Sequence, residues 1–170
     1  MSASPDFDQA AQAGSTEHMV CHAPFTVRRV VKWGHCDPAG VVYTVVFGEY
    51  VMSTAELFYA HLLGISPQLA KDRHGFGTPS RALSFDFRRS LRPDELFDTE
   101  VRVGNVGGRT YELQMRGLTL QGETVFTASL TPICVVRGER VSIEIPEVFR
   151  KALTDYQQRT QGLQSFVLQY

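Results

Sequence analysis

The sequence predicts an α+β domain in which an antiparallel sheet of five or six strands wraps around one long central helix. Within residues 41–63, apolar side chains recur at helical spacing, at Phe47, Tyr50, Val51, Phe58 and Leu62. Only a narrow polar stripe interrupts them, so most of the helix circumference should be buried. After this helix, apolar and polar residues alternate as in half-buried strands, at 83–88, 100–103 and 111–116, and 125–136 is more continuously apolar.

The flanking segments complete the pattern. Residues 25–33 are rich in β-branched side chains and are predicted to form a first strand, whose basic residues Arg28 and Arg29 indicate one solvent-exposed face. Turns are expected at 105–109, 122–123 and 137–140, a further strand at 141–145 and a short helix at 147–157. Pro132 predicts an irregularity in its strand, because proline lacks an amide hydrogen.

This order of elements is that of the hotdog architecture. A single curved sheet covers only one side of the helix, so a second subunit is the simplest way to complete the core. We therefore expect a homodimer that pairs into a tetramer.

The composition is that of one soluble globular domain, with 43% apolar and 21% charged residues in a chain of 170. We divide the chain into a mobile polar arm at 1–23, the folded domain at 24–157 and a tail at 158–170. The arm does not have the pattern of a signal peptide, and no apolar run approaches the roughly 20 residues that span a bilayer. A net charge of -1 gives no electrostatic footprint for nucleic acid or an anionic membrane. Three cysteines without CxxC spacing suit a reducing compartment, so we expect a cytoplasmic protein.

The loop before the helix carries the most chemical information, because it places Asp37 between two glycines and next to Pro38. Backbone N–H groups at a helix start have no intrahelical partner and can stabilise an oxyanion. A carboxylate beside them can act as a nucleophile or as a general base toward water. The structural alternative is that Asp37 only accepts an Asx-type hydrogen bond within the turn. His35 either assists Asp37 or is a hydrogen-bonding loop residue, and we assign no metal to the nearly adjacent His35, Cys36 and Asp37.

The same loop resembles the signature of the 4-hydroxybenzoyl-CoA thioesterase family of hotdog enzymes. That signature is an aspartate followed by Pro-Ala-Gly or a similar triplet, two aliphatic residues and an aromatic residue. Here it comprises Asp37, Pro38, Ala39, Gly40, Val41, Val42 and Tyr43, with Phe47 and Tyr50 beyond. Shorter similarities occur at 77–79, 93–96 and 108–111, and the resemblance covers about residues 25–146.

The resemblance implies that Asp37 is the catalytic carboxylate and that the backbone N–H of Thr44 donates to the thioester carbonyl. It also implies that Arg109 and Thr110, with Arg140, bind the nucleotide of coenzyme A; without it, both arginines would be interpreted as solvated turn charges. Coenzyme A is part of the substrate, and no other cofactor is expected. The residues expected to contact the acyl group are Tyr43, Phe47, Met52, Thr78 and Pro79.

Three positions depart from the family pattern. His35 stands where many members have an acidic residue, Thr-Val-Val occupies 44–46 where Tyr or His and Asn are usual, and Met52 replaces a carboxylate that accompanies hydroxybenzoyl recognition. Because Met52 is apolar, the acyl pocket suits an unsubstituted aromatic or medium aliphatic group.

The expected function is hydrolysis of a benzoyl-like or medium-chain acyl-CoA to the free acid and coenzyme A. Two alternatives stay open: a thioesterase that acts on acyl carrier protein, and a non-catalytic hotdog module that binds or senses acyl-CoA. A dehydratase is a weaker alternative, since it needs a histidine as well as a carboxylate facing the substrate, and only His35 is nearby.

Overall fold

The computed structural model describes residues 15–165. The strands are β1 (Glu17–His22), β2 (Phe25–Val30), β3 (Phe76–Gly77), β4 (Ser80–Phe87), β5 (Leu96–Val106), β6 (Tyr111–Thr119), β7 (Thr124–Pro132) and β8 (Val135–Val136). The helices are α1 (Val46–Leu63), α2 (Pro67–His74) and α3 (Glu147–Thr160), with a 3-10 turn at Trp33–His35. Within these residues, no helix combines the length and the apolar character needed to cross a membrane.

Six strands form one antiparallel sheet in the order β1-β2-β5-β6-β7-β4, and β3 pairs with β8 in a separate ladder. Helix α1 packs on one face of the six-stranded sheet through aromatic pairs. The ring centroids are 5.6 Å apart for Phe58 and Phe25, 5.2 Å for Tyr50 and Phe97, and 5.3 Å for Phe47 and Phe126. Such pairs add to the free energy gained by burying each ring. The predicted hotdog architecture, a sheet of six strands around one long helix, is confirmed.

Secondary structure extends beyond both ends of the predicted folded domain at 24–157. Residues 17–22, expected to belong to the mobile arm, form β1 because the backbone edge of β2 is there to pair with them. The part of the arm up to residue 14 lies outside the described residues. Helix α3 continues past residue 157 to Thr160, where Arg102 of β5 binds its end by donating to the carbonyls of Thr160 at 2.9 Å and Leu163 at 2.7 Å. Residues 166–170 of the predicted tail also lie outside the described residues.

The predicted strand at 141–145 does not form. Its N–H groups find acceptors on different segments: Ile143 donates to the Cys134 carbonyl at 2.9 Å and Ile145 to the Gly108 carbonyl at 2.8 Å. The segment therefore has no single partner with which to build a ladder. The irregularity predicted at Pro132 is confirmed, because β7 ends at this residue.

The predicted solvent-exposed face of β2 is wrong, because Arg28 and Arg29 are only 2% and 4% exposed. Arg28 makes a two-point ion pair with Asp98 of β5, at 2.8 and 3.0 Å. Arg29 binds Glu17 of β1, and Ser53 of α1 donates to the same carboxylate at 2.5 Å. Burial alone would raise the pKa of Glu17, but the Ser53 hydrogen bond and the Arg29 charge outweigh it and hold that pKa below its usual value.

Gly117 of β6 provides a test of the packing between strands. An added Cβ would overlap the ring of Phe126, which is fully buried and packs edge-on against Phe47. We expect Gly117→Ala to lower the free energy of unfolding by about 1–3 kcal/mol, the usual cost of overpacking. Gly34→Ala is the matched control, because an added Cβ there meets nothing within 4 Å. Urea denaturation of both variants measures the difference, and a Gly117→Ala protein as stable as the wild type would contradict this packing.

Candidate active site

The loop between β2 and α1 is held in one conformation by its own backbone. Cys36 and Val42 form a bridge across it. The N–H of Asp37 donates to the Val41 carbonyl, and the N–H of Gly40 donates to the Asp37 carbonyl, both at 2.9 Å. Gly40 has a φ of 76°, in the left-handed region that glycine adopts without strain. Asp37 is thereby fixed at a tight turn.

The carboxylate of Asp37 is half-buried, and its two oxygens have different surroundings. Oδ1 accepts a hydrogen bond from the N–H of Ala39 at 2.8 Å, which is the Asx turn named above as the structural alternative. Oδ2 accepts no hydrogen bond from any residue in the described part of the chain. One oxygen thus orients the carboxylate, and the other is available to take a proton or attack a carbon. The structural and the chemical role of Asp37 are compatible.

The backbone N–H groups just before α1 are not used by the fold. The N-cap residue, Val45, makes no side-chain capping hydrogen bond. The first helical N–H groups are already bonded in tight turns, Val46 to the Tyr43 carbonyl at 2.9 Å and Phe47 to the Thr44 carbonyl at 3.3 Å. The N–H groups of Thr44 and Val45 find no acceptor among residues 15–165, and both residues are exposed. The free donors therefore precede the helix, and Thr44 supplies one of them.

His35 packs against α1. Its Nδ1 lies 2.8 Å from the hydroxyl of Tyr50, and the Tyr50 ring also lies 5.0 Å from the guanidinium of Arg29. Burial raises the pKa of Tyr50, so its hydroxyl stays protonated at neutral pH and can donate to His35. With Tyr50 as the donor, the proton of neutral His35 lies on Nε2. His35 thus joins the loop to the helix, and its assistance to Asp37 stays a prediction.

A cavity of about 510 Å³ lies between α1, α2 and the strands β4 and β7. Two of the residues expected to contact the acyl group, Met52 and Thr78, line it. The other lining residues are Glu49, Ser53, Ala55, Glu56, Tyr59, Pro67, Gln68, Lys71, Ser80, Leu130 and Pro132. Of these, Glu49, Ser53 and Glu56 form the polar stripe of the helix. This stripe is the feature of the sequence from which the cavity could have been predicted. Lys71 had no such signal, because the sequence pattern did not predict α2.

The structure does not place Tyr43, Phe47 or Pro79 at this cavity. Phe47 is 4% exposed and packs among other aromatic rings of the core. Tyr43 is 53% exposed in the loop. Pro79 lies just before β4, where its carbonyl accepts a hydrogen bond from Ile133 at 3.0 Å.

The residues expected to bind the nucleotide lie in a different region. Arg109 is exposed, donates to Ser142 at 3.1 Å and lies 3.5 Å from the carboxylate of Glu144. Its contact with Ser142 places it beside the turn that carries the exposed Arg140. Thr110 is half-buried next to Arg109. None of the three lines the cavity, and their binding of coenzyme A stays a prediction.

Several solved structures share the fold. The 1,4-dihydroxy-2-naphthoyl-CoA thioesterase of Synechocystis is 20% identical, with a TM-score of 0.69 over 77% of this chain and 96% of its own. The DHNA-CoA thioesterase of Staphylococcus aureus is 17% identical, with a TM-score of 0.71 over 84% of this chain and 97% of its own. A Staphylococcus aureus protein solved in complex with CoA is 12% identical, with a TM-score of 0.73 over 89% of this chain and 97% of its own. At these identities the similarity establishes the fold alone.

Comparison at the level of sequence identifies the family. No curated protein matches the chain. Residues 31–153 match the family described as the Thioesterase-like superfamily. This match covers more than half of the 170 residues and includes Asp37, Thr44 and the whole of α1. The resemblance noted from the loop is thus confirmed, and the chain belongs to the thioesterase-like superfamily.

Proposed function

We propose that this protein is an acyl-CoA thioesterase that hydrolyses the CoA ester of an aromatic or medium-chain acid. The supporting observation is that one rigid loop carries both a carboxylate with a free oxygen, at Asp37, and free N–H groups, at Thr44 and Val45. Thioester hydrolysis needs a group that activates water or attacks the acyl carbon, and donors that stabilise the oxyanion. Membership of the superfamily agrees with this activity, and two of the similar structures are a 1,4-dihydroxy-2-naphthoyl-CoA thioesterase and a DHNA-CoA thioesterase.

Two routes use these groups. In the first, Asp37 removes a proton from water while the water oxygen bonds to the acyl carbon. The carbonyl oxygen becomes an oxyanion that accepts hydrogen bonds from the N–H groups of Thr44 and Val45, commonly worth about 3–4 kcal/mol per donor. The C–S bond then breaks, and the proton on Asp37 passes to the departing thiolate of coenzyme A. In the second route, Asp37 attacks the acyl carbon directly, and the C–S bond breaks to release the thiolate of coenzyme A, which takes a proton from water. Water then hydrolyses the resulting anhydride to the free acid and the Asp37 carboxylate.

We assign the acyl group to the cavity beside α1. Its volume of about 510 Å³ falls within the roughly 300–1,000 Å³ that is usual for small-ligand sites. A larger cavity of about 770 Å³ lies on the other face of the sheet, where Glu100 and Arg102 alternate with the core residues Val101 and Val103. Its described lining residues include none from the loop or from α1, which makes it a poor partner for Asp37.

We also propose that two copies pair along β4 and complete each other's sites. β4 is the last strand of the sheet, and Leu83 and Phe87 on it are 39% and 43% exposed. An open strand edge with apolar side chains favours pairing with another strand. When a two-fold axis at this edge relates the two copies, their sheets join into one continuous sheet. The two α1 helices then lie antiparallel on the same face of that sheet. The start of one α1, with Asp37 and Thr44, then approaches the cavity of the partner.

The role of Asp37 is tested by Asp37→Asn, which keeps an oxygen that can accept from Ala39 but removes the charge. We expect kcat/KM to fall at least about a hundredfold, a loss of roughly 3 kcal/mol in transition-state stabilisation. Release of free thiol from benzoyl-, phenylacetyl-, hydroxybenzoyl- and C4 to C12 acyl-CoAs measures the rate. Asp155→Asn is the matched control, because Asp155 is an exposed residue of α3 that pairs with Lys151, and its rate should equal that of the wild type.

The same assay separates the alternative functions. Turnover that is indifferent to Asp37 would contradict both routes. Tight binding of acyl-CoA without turnover would instead support the binding or sensing module. Hydrolysis restricted to esters of acyl carrier protein would support the alternative carrier.

The pairing along β4 is tested by Leu83→Lys. A charge on the open edge should oppose strand pairing. By light scattering at micromolar concentration, we therefore expect the wild type to be a dimer or a tetramer of paired dimers, and the variant to have at most half the mass of the wild type. Val148→Lys is the matched control, since Val148 is 48% exposed but lies on α3. A wild-type protein that is itself a compact monomer would overturn the arrangement.

A further inference from the structure

The end of the cavity beside α2 holds an ammonium group that makes no ion pair with any of the described residues. Lys71 of α2 lines the cavity and is half-buried. Its Nζ lies 5.4 Å from the centroid of the Tyr59 ring, and it makes no ion pair or hydrogen bond with any residue between 15 and 165. Burial, followed by the charge of Arg137, lowers the pKa of Lys71, and Glu56 opposes this effect. Withdrawing a cation from water without pairing it is unfavourable, so the site favours an anion supplied by a ligand.

The other charged groups around this end are already paired or lie in solvent. Asp72 and Arg137 pair with each other at 2.6 Å. Glu49 and Glu56 line the cavity too, but both side chains are exposed, where water and salt screen their charges. Among the described lining residues, Lys71 is therefore the charged group that is both withdrawn from water and unpaired.

The floor beneath Lys71 carries no charge. The hydroxyls of Tyr59 and Tyr111 hydrogen-bond to each other at 2.6 Å. Burial raises the pKa of both phenols, so they stay neutral at physiological pH. The floor therefore neither neutralises Lys71 nor repels an anion that approaches it.

The cavity walls indicate which anion fits. Met52, Ala55 and Leu130 place apolar side chains between the two ends, alongside the uncharged polar Ser53 and Ser80. The part of α1 that lines the cavity, from Glu49 to Tyr59, is about 15 Å long at 1.5 Å per residue. Phosphate sites commonly use arginine forks or several backbone N–H groups, whereas this end offers one ammonium. A passage that offers apolar contacts along its length and one ammonium at its end suits a hydrocarbon chain or ring that ends in a carboxylate.

We propose that the cavity selects acyl groups that carry a carboxylate at the end distal to the thioester, and that Lys71 binds this carboxylate. The inference rests on the proposed function, because it assigns the acyl group to this cavity. Lys71 would then be a specificity-determining residue that takes no part in breaking the thioester bond. Met52 and its apolar neighbours would contact the middle of the acyl group.

The test compares CoA esters of equal chain length with and without a terminal carboxylate. Adipoyl-, suberoyl- and sebacoyl-CoA are paired with hexanoyl-, octanoyl- and decanoyl-CoA. For the wild type we expect kcat/KM to be at least about tenfold higher for the carboxylated ester at one or more lengths, as a charge-assisted hydrogen bond allows. Lys71→Met should abolish this preference, because kcat/KM should fall for the carboxylated esters until the ratio between the paired esters is about one. Arg73→Met, at an exposed position of the same helix, is the matched control and should keep the preference.

A binding measurement makes the inference independent of turnover. Calorimetry with non-hydrolysable S-(ω-carboxyalkyl)-CoA and S-alkyl-CoA thioethers should give the same preference in the wild type and its loss in Lys71→Met. If no thioester is hydrolysed but this preference is found, the proposed hydrolysis fails and the role of Lys71 stands.

Three results would overturn the role of Lys71. The first is a wild type without preference at any length. The second is an equal loss for all CoA esters in Lys71→Met, which would assign the ammonium to a phosphate of coenzyme A. The third is a Lys71→Met protein that keeps the preference and loses only stability or dimer formation.

Discussion

The burial of α1 against a single sheet is the constraint on which the rest of this structure depends. The helix buries Phe47, Tyr50, Val51, Thr54, Ala55, Phe58 and Tyr59, and each large aromatic side chain removed from water contributes on the order of 1.5–3 kcal/mol. Covering so much helix surface requires strands that precede α1 in the sequence as well as strands that follow it. The chain passes from β2 into α1 through residues 31–45, which the bridge between Cys36 and Val42 closes into a tight loop. The same loop carries both Asp37 and the N–H groups of Thr44 and Val45, which find no acceptor among residues 15–165.

Support for the loop extends continuously into the sheet. His35 contacts the Tyr50 hydroxyl, the Tyr50 ring packs against the guanidinium of Arg29, and Arg29 binds Glu17 of the first strand. A site whose reacting group must be held within a fraction of an ångström benefits from side chains that are themselves fixed by packing and hydrogen bonds. The Asx turn has the same effect at Asp37, because it orients the carboxylate while using only one of its oxygens. The residues that stabilise the fold here also fix the carboxylate to which we assign the proposed chemistry.

Sequence reasoning succeeded where local pattern and tertiary surroundings agree. The helical period of α1 and the alternation in β4, β5 and β6 are local, and so is the closeness of Asp37 to Thr44. It failed where distant partners decide. Arg28 and Arg29 look like surface residues until Asp98 and Glu17 are brought beside them. The alternating segment 141–145 lacks a continuous partner strand. The cavity gathers residues from α1, α2, β4 and β7, so its lining was only partly predictable.

Cationic side chains that are withdrawn from water in this chain differ in whether they pair with a carboxylate. Arg28 and Arg29 are almost fully buried, and each has a carboxylate partner on a neighbouring strand. Such pairing is what low-dielectric surroundings require, because an uncompensated buried charge is strongly destabilising. Lys71 departs from this rule: it is half-buried, its ammonium packs on an aromatic ring, and it makes no ion pair with any of the described residues. An apolar side chain would line the cavity at lower cost to the fold, and departures from local rules are expected where a site serves a ligand. The cost of keeping an unpaired ammonium at Lys71 is therefore best explained by an anion that binds there.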